Sequence, residues 1–291
     1  GKILAARKQP IKFACLLPAR AKPFFEDVIK GFKRAQKELS DYGVTVDVSF
    51  VKDFKTESHV KAINKLEQNK YSGLCLTTLD TPEVQLTVHN IIEKGIPVVS
   101  VNTDIPDSGR ICYVGTDYAR SGKTAAGMLC LTTGDRLEIL VITGSYNIRG
   151  HKERIRGFVE GLEEHKIKHN IVTTIESEDD DETAYVRTLD ALKATPGINC
   201  VFIAAAGVGG VCRALKKLNR TNTHVVVFDE TPSTKEFIHS GLIKFTIGQE
   251  PEMQGYMGIM RLFSWLMEEG KRSSTDYITQ TIIKIRENIA E

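Results

Sequence analysis

No apolar run in this 291-residue chain is long enough to cross a bilayer. Stretches such as Ile139 to Ile142 are interrupted after a few positions, whereas a spanning helix needs about 20 apolar residues in succession. An excess of charge is equally lacking. The 39 Lys and Arg stand against 37 Asp and Glu, and the resulting +2 is dispersed, which gives no basic footprint for nucleic acid. The six cysteines, at 15, 75, 112, 130, 200 and 212, include no CxxC pair, and four of them lie within apolar runs. They point to buried free thiols in a reducing cytoplasm rather than to a disulfide framework or a metal site. The opening GKILAARKQP lacks the apolar stretch and small-residue cleavage site of a secretory signal. A cytoplasmic protein without a membrane partner is the expectation.

Catalytic signatures are missing too. There is no GxSxG, HExxH or clustered Cys/His. His151 with the acidic run Asp179 to Asp181 would offer a base and an orienting group but no nucleophile, so no enzyme, cofactor or metal is expected. Two stretches imitate nucleotide loops. In ICYVGTDYARSGKTAAG, a P-loop would need glycine where Asp117 stands, and a carboxylate there repels phosphate. In GVGGVC, Cys212 takes the place of the third glycine of a dinucleotide fingerprint.

What is present is a regular alternation. The strand-like IKFACLLP, VTVDVSFV, GLCLTT and PVVSV are separated by helical patterns such as Phe25, Val28, Ile29 and Phe32 at three- and four-residue spacing. The order then restarts with LEILVIT, NIVTTIE, NCVFIAA and HVVVFD, and a long helix follows FTIGQ. Strands alternating with helices require crossovers and therefore parallel sheets. In such sheets ligands bind beyond the carboxyl ends of the strands.

Several stretches, in order, resemble one family, the type 1 periplasmic-binding-protein fold shared by sugar-binding proteins and the lactose-repressor (LacI) family. They are LLPARAKPFFEDVIKGFKRA, IPVVSVNTDI, YVGTDYARSGKTAAG, GHKERIRGF, VVVFDETP and FTIGQEPEMQGYMG. The resemblance implies an α/β fold with two similar Rossmann-like lobes, parallel sheets and three crossovers. It divides the chain into a linker at 1–10, one lobe at 11–116 plus 250–275, and another at 117–249 plus 276–291. Asp117 then opens a helix after a hinge turn, and Gly122 and Lys123 are a packing residue and a solvated cation. GKILAARKQP resembles the end of the lactose-repressor hinge. The expectation is thus the effector-binding core of a bacterial LacI-family transcriptional regulator, homodimeric, bound to operator DNA through a headpiece outside this chain, and switched by lobe reorientation around its ligand. The alternative is the sugar-binding periplasmic component of an ABC transporter.

The resemblance also assigns ligand-binding positions. In the first lobe these are the Phe24 and Phe25 pair, Arg20 and Lys22 in the same loop, Asp80, and Asn102 with Thr103. In the second they are His151 and Lys152, the latter matching an arginine of relatives, then Ala206, Asp229 and Gln249. A sugar or polyol is the expected effector, and the cations Arg20, Lys22 and Lys152 extend the choice to a sugar acid, sugar phosphate or other small anion. The acidic run is read as a solvated loop and helix start.

Overall fold

The computed structural model describes residues 10–134, 136–268 and 275–290. Apart from Pro10, the linker expected at 1–10 lies outside the described residues. The elements run β1 (Ile11–Pro18), α1 (Lys22–Glu38), β2 (Val44–Val51), α2 (Thr56–Glu67), β3 (Gly73–Leu76), α3 (Pro82–Glu93), β4 (Val98–Val101), β5 (Cys112–Gly115) and α4 (Tyr118–Cys130). They continue with β6 (Leu137–Thr143), α5 (Arg149–Glu164), β7 (His169–Glu176), α6 (Asp181–Ala194), β8 (Cys200–Ile203), α7 (Val208–Lys217), β9 (His224–Phe228) and α8 (Pro232–His239). The last are β10 (Phe245–Gly248), α9 (Pro251–Met267), β11 (Tyr277–Ile278) and β12 (Ile282–Ile285).

The chain forms two compact units, one up to Gly115 with Glu250–Thr279, the other Thr116–Gln249 with Gln280–Glu291. The third change of unit comes after Thr279, not at 275/276 as the sequence suggested. Tyr277 and Ile278 pair in parallel with Val114 and Gly115, and the Thr279 N–H donates to the Gly115 carbonyl at 2.8 Å. These bonds anchor the segment to the first sheet before β12 reaches the second.

In the first unit the sheet order is β11-β5-β4-β3-β1-β2, and in the second β12-β10-β9-β8-β6-β7. The strands are parallel throughout, except that β12 joins the edge of the second sheet antiparallel to β10. Each unit's first strand lies between its second and third, so successive crossovers leave toward opposite faces at that point. In open α/β sheets that reversal is where ligands bind, beyond the carboxyl ends of the strands.

Coverage on both faces makes the central strands apolar throughout. In β1, Phe13, Ala14, Cys15, Leu16 and Leu17 are all buried, as a doubly covered parallel strand requires. Helix α1 buries Phe24, Phe25, Val28 and Phe32 and leaves Lys30, Lys33 and Lys37 exposed. Burial of each phenylalanine stabilises the unit by roughly 1.5–3 kcal/mol.

The second unit's helices α4 and α5 meet backbone to backbone. A Cβ at Gly122 would strike the Arg154 carbonyl, and one at Gly157 would strike Ala119. This explains the Ser-Gly-Lys-Thr stretch: Gly122 permits the approach, and Lys123 lies 2.7 Å from Glu164 across it. Asp117 caps α4, accepting from the Arg120 N–H at 2.9 Å and satisfying a free amide of the first turn.

All six cysteines are free, and five are buried. Burial pushes the Cys200 and Cys212 thiols up to about 12, which keeps them unreactive.

Candidate functional site

Arg20, Asp80, Asn102, Thr103, Ala206, Asp229 and Gln249 fall just beyond the carboxyl end of a strand, whereas Lys22, Phe24 and Phe25 lie in the first turn of α1 and His151 and Lys152 in that of α5. In the first unit, the turn after β1 passes through Ala21 in the left-handed region, φ 51°. Arg20 is half-buried. Lys22 is exposed, and its Nζ lies 3.8 Å from Glu26 one turn further along the helix surface. Phe24 and Phe25 sit edge to face, 5.2 Å between centroids, and both belong to the core cluster of that unit. After β3, Asp80 accepts from the Gln85 amide at 2.7 Å.

Asn102 follows β4 with φ 67° and is held at three points. Its N–H donates to the Val114 carbonyl at 2.9 Å, its carbonyl accepts from the Tyr113 hydroxyl at 2.8 Å, and its amide Nδ2 donates to Gln254 Oε1 at 3.2 Å. Thr103 beside it is buried.

The second unit repeats the device. Asp229 follows β9 with φ 69°, its N–H donates to the Ile247 carbonyl at 3.0 Å, and its carbonyl accepts from Thr246 Oγ1 at 2.9 Å. Tyr113 and Thr246 are the second residues of β5 and β10, so each fifth strand clamps the left-handed residue after the fourth. The Gln249 amide donates to both Asp229 carboxylate oxygens, at 2.9 and 3.1 Å.

His151 and Lys152 part company. Lys152 is exposed, whereas His151 is half-buried and its Nδ1 accepts from the Gly144 N–H at 3.3 Å. Burial and the Arg154 charge lower the His151 pKa to about 3, so the ring is neutral and carries its proton on Nε2.

The cation that the fold draws inward is Arg154, not Lys152. It is buried, lies 3.9 Å from the Phe228 ring centroid and 4.8 Å from that of Tyr118, and donates to the Ala204 carbonyl at 2.7 Å. The sequence offered a signal for it. Arg154 stands in the buried stripe of α5 with Gly150, Gly157 and Phe158, and a charge in such a stripe is rare unless it is partnered.

The acidic run is built into the site edge and is not simply a solvated loop. Asp179 accepts from the Ala206 N–H at 3.0 Å, Asp180 caps α6 through the Thr183 N–H at 2.9 Å, and Asp181 accepts from the Gly210 N–H at 3.2 Å. Ala206 is further tied by Ser177 Oγ, which donates to its carbonyl at 3.1 Å. The alanine thus contributes a fixed backbone rather than a side chain. Among the described residues no group of three or more His, Cys, Asp or Glu could hold a metal ion.

Residues 13–270 match the model of a family described as a periplasmic binding protein domain. The chain belongs to the periplasmic binding protein domain family. Members are binding domains and not enzymes, and this chain is no enzyme. It is similar to the ribose import binding protein RbsB of Haemophilus influenzae, 23% identical over 244 residues that cover 82% of this chain and 80% of that protein. Among solved structures it resembles GanP, a glucose-galactose binding protein from Geobacillus stearothermophilus, with TM-score 0.88 and 28% identity over 97% of this chain and 99% of that one. It also resembles a chain of the XylFII-LytSN complex, with TM-score 0.87 and 26% identity over 97% and 100% of the two chains.

These likenesses overturn the LacI-family regulator. The relatives are named for sugar import and sugar binding, so the operator DNA, the homodimer and the cytoplasmic placement fall with that reading. The fold does not separate the two branches, since a chain described as a LacI transcriptional regulator, from Bacteroides fragilis, shares it with TM-score 0.86 at 20% identity over 97% of this chain and 99% of that one.

Proposed function

We propose that this chain is the sugar-binding component of an ABC-type importer, which captures one small neutral sugar and delivers it to a membrane permease. The likeness to RbsB and GanP along most of the chain supports the import role. The observation that carries the sugar chemistry is the Asp229 carboxylate at the end of β9, fixed by both bonds from Gln249. An oriented carboxylate accepts strong hydrogen bonds from hydroxyls. It repels an anionic ligand.

In this reading the first unit offers Asp80 and Asn102 as polar groups with Arg20 as a donor, and the second by itself offers Asp229 and Gln249 with Arg154 as a donor. Of the three cations that extended the choice to a sugar acid or phosphate, Lys22 and Lys152 are exposed and Arg20 is half-buried. The Asp229 carboxylate favours a neutral sugar over these anions.

The test is titration calorimetry with ribose, xylose, arabinose, glucose and galactose, alongside gluconate and ribose 5-phosphate. Saturable binding of at least one neutral sugar, without turnover, is the expected result. Binding confined to the two anions, or none at all, overturns the reading.

A further inference from the structure

The buried stripe of α9 contains one residue that hydrophobic burial does not explain. Gln254 is completely buried among Gly255, Gly258, Ile259 and Leu262. Enclosing a primary amide in an apolar helix face costs stability unless hydrogen bonds replace those lost to water. One replacement is the bond that Gln254 Oε1 accepts from Asn102 Nδ2.

That bond has a directional consequence for Asn102. An amide side chain offers a carbonyl and an NH2 that differ little in shape, so free rotation would present either to a ligand. With Nδ2 committed to Gln254, Oδ1 is left as the acceptor of this half-buried side chain, and no described residue donates to it. The backbone of Asn102 is already fixed by Val114 and Tyr113, so the amide plane is the last freedom removed. In the second unit the left-handed residue after the fourth strand is Asp229, whose side chain can only accept. Each unit then offers an oxygen acceptor at the same point of its sheet.

Building on the sugar-binding reading, we infer that Gln254 is a positioning residue that locks the Asn102 amide so that its carbonyl oxygen receives a hydroxyl of the bound sugar. Gln254 does not touch the sugar; it sets which end of Asn102 does.

The experiment is a double-substitution cycle on the whole chain, using whichever of ribose, xylose, arabinose, glucose and galactose the native protein binds. Gln254→Met keeps the volume and removes the acceptor. It is expected to weaken binding about tenfold, the scale of one neutral hydrogen bond. In an Asn102→Ala background, where there is no amide to orient, the same substitution is expected to change affinity less than about twofold, since coupled residues fail to add. A merely structural Gln254 would cost the same in both backgrounds, and that result, or no loss in the first, overturns the inference.

If none of the five sugars binds, the sugar-binding reading fails on its own, and Gln254 is judged by exchange of the Asn102 side-chain amide protons with solvent. Slow exchange in the native protein and fast exchange in Gln254→Met support the lock; equal rates refute it.

Discussion

The amide of Gln249 donates to both carboxylate oxygens of Asp229, at 2.9 and 3.1 Å. Gln249 is itself buried, so the proposed ligand acceptor is also part of a structural contact. Asp229→Ala is expected to weaken sugar binding by about 10- to 100-fold, the scale of a charge-assisted hydrogen bond. It also removes two bonds from a buried amide, and a loss of about 1–3 kcal/mol in unfolding free energy should accompany it. Calorimetry and urea denaturation of the one variant check both.

Phe24→Ala tests packing more than binding. The resemblance read from the sequence assigns Phe24 to the ligand-binding positions. The structure places Phe24 in the core cluster, 7% exposed, and truncating a buried phenylalanine costs about 3–5 kcal/mol. A urea midpoint equal to that of the native protein would contradict this.

Two glycines of one helix should respond with opposite signs. Gly122→Ala drives a methyl into the backbone of α5, and overpacking of this kind costs about 1–3 kcal/mol or more. At Gly127 a Cβ would only approach His165 Nε2 to 3.5 Å, an ordinary contact. Gly127→Ala should raise stability by roughly 0.5–1 kcal/mol, because alanine loses less backbone freedom in a helix. Melting temperatures that shift in the same direction would disprove the packing assigned to α4 and α5.

His151 gives a pH dependence of defined sign. Its pKa is about 3 in the fold against about 6.5 in an unfolded chain. Between these values the unfolded state binds the proton and the folded state does not, so the histidine costs stability as pH falls from 6.5 toward 3. His151→Asn should reduce the slope of unfolding free energy with pH in that window by up to about 1.4 kcal/mol per unit. Denaturation curves at pH 4, 5, 6 and 7 measure it; an unchanged slope would mean that the ring titrates normally.

Arg154→Lys keeps the charge and removes the planar group lying over Phe228 and Tyr118. Desolvated cation–ring contacts are worth up to about 2 kcal/mol, so a clear fall in the denaturation midpoint is expected. Native-like stability would assign the burial of Arg154 no packing role.

The sequence by itself determined the alternation of strands and helices, its restart after GKTAAG, and the placing of Asp80, Asn102, Asp229 and Gln249 at strand ends. These follow from local periodicity and from turn residues, which are visible within a window of a few residues. It did not determine which of two branches sharing one fold the chain belongs to, since strand ends look alike in both.

Only the tertiary structure decided that β11 completes the first sheet, that Phe24 and Phe25 are core, and that Arg154 and Gln254 occupy buried stripes with partners. Asn102 and Gln254 are 152 positions apart, and Tyr277 pairs with Val114 across a comparable span. A hydrogen bond between distant segments leaves no periodic trace in either one. What it does leave is a polar residue where an apolar one would be expected, as at Arg154 in α5 and Gln254 in α9. Its partner becomes known only when the chain has closed, because desolvation makes pairing obligatory without specifying with whom.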